Sequence, residues 1–277
     1  MTTPDVSAGP RVPQVFWIGL VACVVYVALA AGVANLLGDL FGGGSEAGDF
    51  ALTHYTVLPV LIVGGLLFLR WSGWWAQTWS VPSAGRTQPR RWWMLSIPVL
   101  LLAQSVIVLA IAPWGAHSVG TIVVVLVGTA MVGFGEELFF RGILRVSVRA
   151  HHGELVTLLV TSALFGAAHV LGSVIAGLQP AFILLQVTTL AMDGALYYGV
   201  VRATGRLWIA MALHALTDFS LYVSGSDVSH SGSTDANISP ANVVIQFVLG
   251  ALSLVLVISC IRQDLLERRR RREATTV

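Results

Sequence analysis

Lysine is absent from the 277 residues, so all 16 basic side chains are arginine. Charged residues make up only 11% of the chain, against roughly 25% in an average soluble domain. That scarcity excludes an ordinary soluble globule and an intrinsically disordered chain alike. Only two cysteines occur, Cys23 and Cys260, each inside a long apolar run. Neither a disulfide framework nor a cysteine-rich zinc site fits that placement. No His-Glu-x-x-His stretch is present, which removes the common helical zinc-protease signature. The net charge of +2 is too small to point to nucleic acid.

What the chain has instead is apolar residues, 56% of the total. A helix crossing a hydrocarbon core needs about 20 of them, so eight helices would use about 160 residues. The expected fold class is therefore all-α, a polytopic membrane helix bundle of about eight transmembrane helices. Apolar segments cover approximately residues 15–37, 52–69, 93–113, 119–140, 155–176, 181–201, 207–223 and 241–261. The second is interrupted by His54 and Pro59. The first exceeds a signal-peptide core and is expected to be a retained span.

The arginines segregate. Arg11 precedes the first segment. Arg70, Arg86, Arg90 and Arg91 fall between the second and third, and Arg141, Arg145 and Arg149 between the fourth and fifth. Arg202 and Arg206 follow the sixth, and Arg262 and Arg268 to Arg272 follow the eighth. The alternate connections hold Asp39, Glu46, Asp49, Asp227 and Asp235 instead. The positive-inside rule then places both termini in the cytoplasm, in a multi-pass cell-membrane protein, and a seven-span topology would break the segregation. Residues 71–93 contain six tryptophans and read as an interfacial linker. The C-terminal arginine run reads as a topology determinant and solvated tail, or as an anionic-lipid site. The expected division is a transmembrane scaffold over 1–115, a functional core over 116–225, and a last span with basic tail over 226–277.

A charge at a helix centre costs at least about 2.5–3.5 kcal/mol on insertion scales, so such residues need partners and mark function by default. They concentrate in the second half: Glu136, Glu137, Arg141, His169, Asp193, His214 and Asp218. Glu137 and Arg141 are four apart and face each other on a helix. Glu136 points about 100° away, its charge not cancelled locally, as a general base requires. Phe165 and His169 share a face, as do His214 and Asp218. For each pair a purely structural role is the alternative: an ion pair at a helix end, a histidine bonded to a carbonyl, a self-satisfied His–Asp pair. From the helical rise, Glu136 and His214 lie roughly 6–10 Å below the cytoplasmic ends, and His169 and Asp218 on the order of 15–20 Å. Asp193 is open between a substrate-pocket role and a helix-dipole partner. His54 reads as structural, and His151 and His152 as solvated.

Taken together, Glu136-Glu137-x-x-x-Arg141, Phe165-x-x-x-His169 and His214-x-x-x-Asp218, in that order, resemble the CPBP family of CAAX prenyl proteases and bacteriocin-processing intramembrane glutamic endopeptidases. Residues 193–199 and 204–208 also resemble it, and the likeness spans roughly 120–220. The resemblance implies an intramembrane endopeptidase in which Glu136, helped by His169, activates water to attack a peptide carbonyl with no covalent intermediate. It places His214 and Asp218 at oxyanion-stabilising positions, with Glu137, Arg141 and Phe165 in support. It implies no cofactor. The implied partners are the lipid bilayer and a membrane-associated or lipidated substrate: a prenylated protein, a bacteriocin-like peptide or an anti-sigma-type membrane protein. One position departs from the prenyl-protein processing members, which carry Asn where this chain has Asp218. An ionised Asp218 would orient His214 and leave His214 as the donor. The alternatives are a zinc protease using His169, His214 and Asp218 or Glu136, and a non-catalytic immunity or scaffold protein of the same fold. A transporter with an ionisable relay would call for internal repeats, and none is evident.

Overall fold

The computed structural model describes residues 9–83, 91–225 and 239–275. Arg86, Arg90, Asp227 and Asp235 lie outside the described residues. Eight apolar helices account for nearly all of the described chain. They are α1 (Phe16–Phe41), α2 (Glu46–Ser72), α3 (Trp92–Ile111), α4 (Val119–Arg149), α5 (Glu154–Ile175), α6 (Pro180–Thr204), α7 (Leu207–Val223) and α8 (Pro240–Thr275). Seven are long and apolar enough to cross a membrane, while α7 has 17 residues, at the short end of the range that spans a bilayer. Among the described residues there is no strand, only an isolated bridge between Ser80 and Arg206. The chain is a multi-pass membrane protein.

Helix starts follow local chemistry. The Ser118 hydroxyl accepts from the Thr121 amide at 3.1 Å to open α4, and Ser45 accepts from Gly48 at 3.2 Å to open α2; each satisfies an amide that the helix itself leaves unpaired. Pro180 opens α6, where its missing N–H costs nothing. Many large apolar side chains are exposed, among them Val60, Val99, Val123, Leu184 and Phe247. A polar surface would be unsolvated in lipid, so this apolar exterior is the lipid-facing belt. One buried cluster draws side chains from all eight helices, including Tyr26, Leu61, Ile97, Leu138, Phe165, Leu196, Met211 and Leu249.

Two contacts position the site. Helices α4 and α7 pack closely, and so do α5 and α6. A Cβ on Gly133 would stand 2.5 Å from the Ala215 nitrogen of α7. A Cβ on Gly166 would stand 2.4 Å from the Val187 oxygen of α6. Glycine at these points lets the backbones meet where no hydrophobic drive separates protein from lipid.

The structure corrects several expectations. Helix α4 runs on to Arg149, so Arg141, Arg145 and Arg149 lie on a helix and not in a connection. Arg141 is fully buried and Arg145 nearly so. Burial is tolerated because carbonyls receive them: Arg145 Nε donates to Arg141 O at 2.6 Å and Nη2 to Gln77 O at 2.7 Å. Glu136 consequently sits deeper than expected, roughly 20 Å along α4 from its Arg149 end. The C-terminal arginines, expected in a solvated tail, are exposed, and they continue α8 as helix; arginine forms helix readily and suits a helix C-terminus. The interruption at His54 and Pro59 amounts to a single turn within α2. In the tryptophan-rich linker, Trp74 is buried and donates from Nε1 to Val12 O at 2.9 Å, while Trp71 and Trp92 stay exposed.

Candidate active site

Glu136 and Glu137 end the first α-helical stretch of α4, just before Leu138–Leu144 winds as π-helix. Such turns are rare and frequently mark functional sites. Arg141 lies within the widened turn and still reaches back, its Nη1 2.9 Å from Glu137 Oε1. Its Nη2 donates to Gly194 O of α6 at 2.9 Å. The Phe165 ring of α5 lies beneath it, 4.1 Å from the guanidinium carbon to the ring centre, a cation–π contact strengthened by exclusion of water.

His214 comes in from α7. Its Nδ1 is 3.0 Å from the same Glu137 Oε1 that Arg141 holds. Its Nε2 lies 3.4 Å from Asp218 Oδ2 and 3.8 Å from Glu136 Oε2. Tyr197 of α6 stacks on the imidazole at 4.5 Å and 12°, and Phe165 meets it edge-on at 5.7 Å. Six of the seven sequence-derived residues thus form one cluster: Glu136, Glu137, Arg141, Phe165, His214 and Asp218.

His169 stands at the rim, at the joint between two helical stretches of α5. Its ring packs against Phe165 at 5.4 Å. Its Nδ1 lies 3.0 Å from Phe165 O. A carbonyl only accepts, so Nδ1 carries a proton, and in the neutral tautomer that fits this contact the lone pair lies on Nε2. No direct hydrogen bond joins His169 to Glu136. The two glutamates differ in partners. Glu137 is fully buried and doubly engaged. Both engagements fall on Glu137 Oε1; Oε2 of each glutamate is buried with no hydrogen-bond partner among the described residues, and Glu136 has only the 3.8 Å approach of His214 Nε2.

Sequence reasoning missed three contributors. Tyr197 and the Gly194 carbonyl lie in the stretch that resembled the family, but no role followed from their residue types. Tyr26 comes from α1, where no likeness was available. It is buried, stacks on Phe139 at 4.6 Å, and holds its hydroxyl over Gly135, 2.8 Å from where a Cβ there would stand. Asp193 is half-buried on α6 beside Gly194. His54 stacks on Phe50 with Nδ1 2.9 Å from Phe50 O, and His151 and His152 are exposed. Among the described residues no group of three or more His, Cys, Asp or Glu side chains is arranged to hold a metal ion.

No curated protein matches the chain significantly. A family model does match, described as type II CAAX prenyl endopeptidase Rce1-like, over residues 118–220. That stretch contains every residue of the three motifs and agrees with the CPBP resemblance they carry. Residues 118–220 are thus similar to the Rce1-like type II CAAX prenyl endopeptidases, within a multi-pass membrane protein.

Proposed function

We propose that the chain is an intramembrane endopeptidase that hydrolyses a peptide bond with water activated by Glu136 and His169, without a covalent intermediate and without a metal. One observation carries this reading: of two adjacent glutamates in the bundle, Glu137 is held through Oε1 by both Arg141 and His214 at 2.9 and 3.0 Å, while the buried Oε2 of Glu136 makes no hydrogen bond and has only His214 Nε2 at 3.8 Å. A buried carboxylate with an uncommitted oxygen is a proton acceptor in waiting.

Each step follows from the groups present. Water between Glu136 and His169 gives its proton to the Glu136 carboxylate and accepts orientation from the Nε2 lone pair of His169. The resulting hydroxide attacks the scissile carbonyl. His214 acts as an imidazolium: Nδ1–H is anchored on Glu137, and Nε2–H is free to leave Asp218 for the developing oxyanion. Fixed donors in a site shielded from bulk water stabilise that charge far better than water does. Glu136 then returns the proton to the leaving amine. Asp218 orients His214 in place of donating, because a carboxylate has no proton to give.

The substrate class is a membrane-associated or lipidated peptide. Arginine placement supports approach from the cytoplasmic face, with both termini on that side. Terminal-peptide mass spectrometry of membranes from cells carrying wild type or Glu136→Ala tests the reading. New peptide termini present only with wild type are expected, and they identify the substrate. Identical termini in both would overturn proteolysis and favour a non-catalytic scaffold or immunity role.

A further inference from the structure

A cavity of about 480 Å³ opens at the arginine-rich end of the bundle, where α4, α5, α6 and α8 converge with the start of α3. It does not include Glu136, His169, His214 or Asp218. Among the described residues five arginines line it, Arg91, Arg145, Arg149, Arg202 and Arg270, against two carboxylates, Glu154 and Glu267. Three of the five, Arg91, Arg145 and Arg202, are more than nine-tenths buried.

The carboxylates do not balance them. Glu154 is shared: Arg149 Nε lies at 2.9 Å, Arg202 Nε at 3.5 Å, and the Tyr198 hydroxyl donates to it at 2.5 Å. Glu267 accepts from Gln263 Nε2 at 2.9 Å. Arg91 and Arg202 both donate to the neutral Gln263 Oε1. Arg145 has only carbonyl partners and no carboxylate among the described residues. Burial, together with the charge of Arg202, pulls the Arg91 guanidinium below its usual range. Arg91 and Arg145 have no carboxylate within ion-pair distance among the described residues, and leaving a buried cation without counter-charge costs several kcal/mol. Guanidinium forks that converge on one cavity match the oxygens of a phosphate group.

We propose that this cavity binds a phosphate-bearing anion, held by Arg91, Arg145 and Arg202. Its volume falls within the range of small-ligand pockets, roughly 300–1,000 Å³, ample for one phosphorylated headgroup. The chemistry is shared by two sources, an anionic phospholipid reaching in from the membrane surface and a soluble phosphate. Occupation ties together Arg91 ahead of α3, Arg145 of α4 and Arg202 of α6.

Purified full-length protein separates these sources. In the first arm, it is placed in mixed discs of phosphatidylglycerol and phosphatidylcholine and the retained lipid is read by native mass spectrometry. In the second, inorganic phosphate is titrated in detergent and thermal unfolding is followed. Preferential retention of phosphatidylglycerol assigns the site to a headgroup. A phosphate-dependent rise in Tm without lipid preference assigns it to a soluble anion. Either effect is expected to weaken by about tenfold or more on Arg91→Gln with Arg202→Gln, the loss of two charge-assisted contacts. Arg91→Lys keeps the charge but not the fork, and weakens binding in the same direction while the ligand-free Tm holds. Arg268→Gln with Arg269→Gln, on the exposed run, leaves binding unchanged. Absence of both effects in wild type overturns the proposal, as does equal weakening by the exposed-run variant.

Discussion

His214 Nδ1 and Arg141 Nη1 meet on a single oxygen, Glu137 Oε1, at 3.0 and 2.9 Å. That atom joins α7 to α4, and through the second nitrogen of Arg141 to the Gly194 carbonyl of α6. Removing its charge leaves two buried cationic groups facing a neutral amide. Breaking one partner of a buried pair costs about 3–5 kcal/mol. Glu137→Gln is therefore expected to lower Tm clearly in detergent-solubilised protein. An unchanged Tm would show that the oxygen is not the structural tie described.

Glu136→Gln is expected to behave differently. It makes no hydrogen bond and has only the 3.8 Å approach of His214 Nε2 to lose, so Tm should fall far less than in Glu137→Gln. Turnover of a cleavable membrane peptide should fall by about 10²–10⁴-fold, the usual contribution of a general base. Measuring both quantities on both variants separates the two glutamates. Equal Tm losses would count against assigning them different roles.

Much of this was legible from spacing, and the limits of spacing explain the rest. Residues four apart on a helix share a face, so the Glu137–Arg141 and His214–Asp218 pairings could be read directly. The Glu137–His214 contact could not, because 77 residues separate the two and periodicity reports a face without naming the neighbour. Arg145 and Arg149 were expected in a connection because charge ordinarily marks a helix end in a membrane. Arg145 instead finds carbonyls of Gln77 and Thr78, a local supply that depends on the chain's path after α2. The π-helical turn at Leu138–Leu144 has no compositional signature. Tyr26 looked like one more aromatic in an apolar run.

Tyr26 is where the first helix enters the site. Its ring is buried against Phe139 and its hydroxyl sits over Gly135, next to Glu136. Tyr26→Ala removes that packing and is expected to cost about 3–5 kcal/mol, seen as a lower Tm and loss of activity together. Tyr26→Phe keeps the ring and should keep Tm. If Tyr26→Ala left both properties unchanged, the first helix would be a bystander.

Metal dependence is a separate expectation. Both histidines have Nδ1 committed, His214 to Glu137 and His169 to Phe165 O. A zinc ion would have to draw on Nε2 of each plus a carboxylate, and no such triple is arranged among the described residues. Activity is expected to survive prolonged treatment with a strong chelator and to gain nothing from added zinc. Loss on chelation with recovery on zinc would install the metalloprotease reading instead.

Gly133 tests whether helix approach, and not side-chain identity alone, sets the geometry. A Cβ there would lie 2.5 Å from Ala215 N and 2.8 Å from Met211 O, both backbone atoms of α7. Neither can swing aside as a side-chain tip would, so α4 and α7 must part. His214 rides on α7, and a shift of even about 1 Å costs on the order of a hundredfold in rate. Gly133→Ala is expected to lower Tm and to reduce turnover more steeply than its stability loss explains. Gly64 offers the control: it lies on α2 with open space around it, and Gly64→Ala should change neither. Full activity in Gly133→Ala would mean that the catalytic groups tolerate a looser α4–α7 contact than the geometry implies.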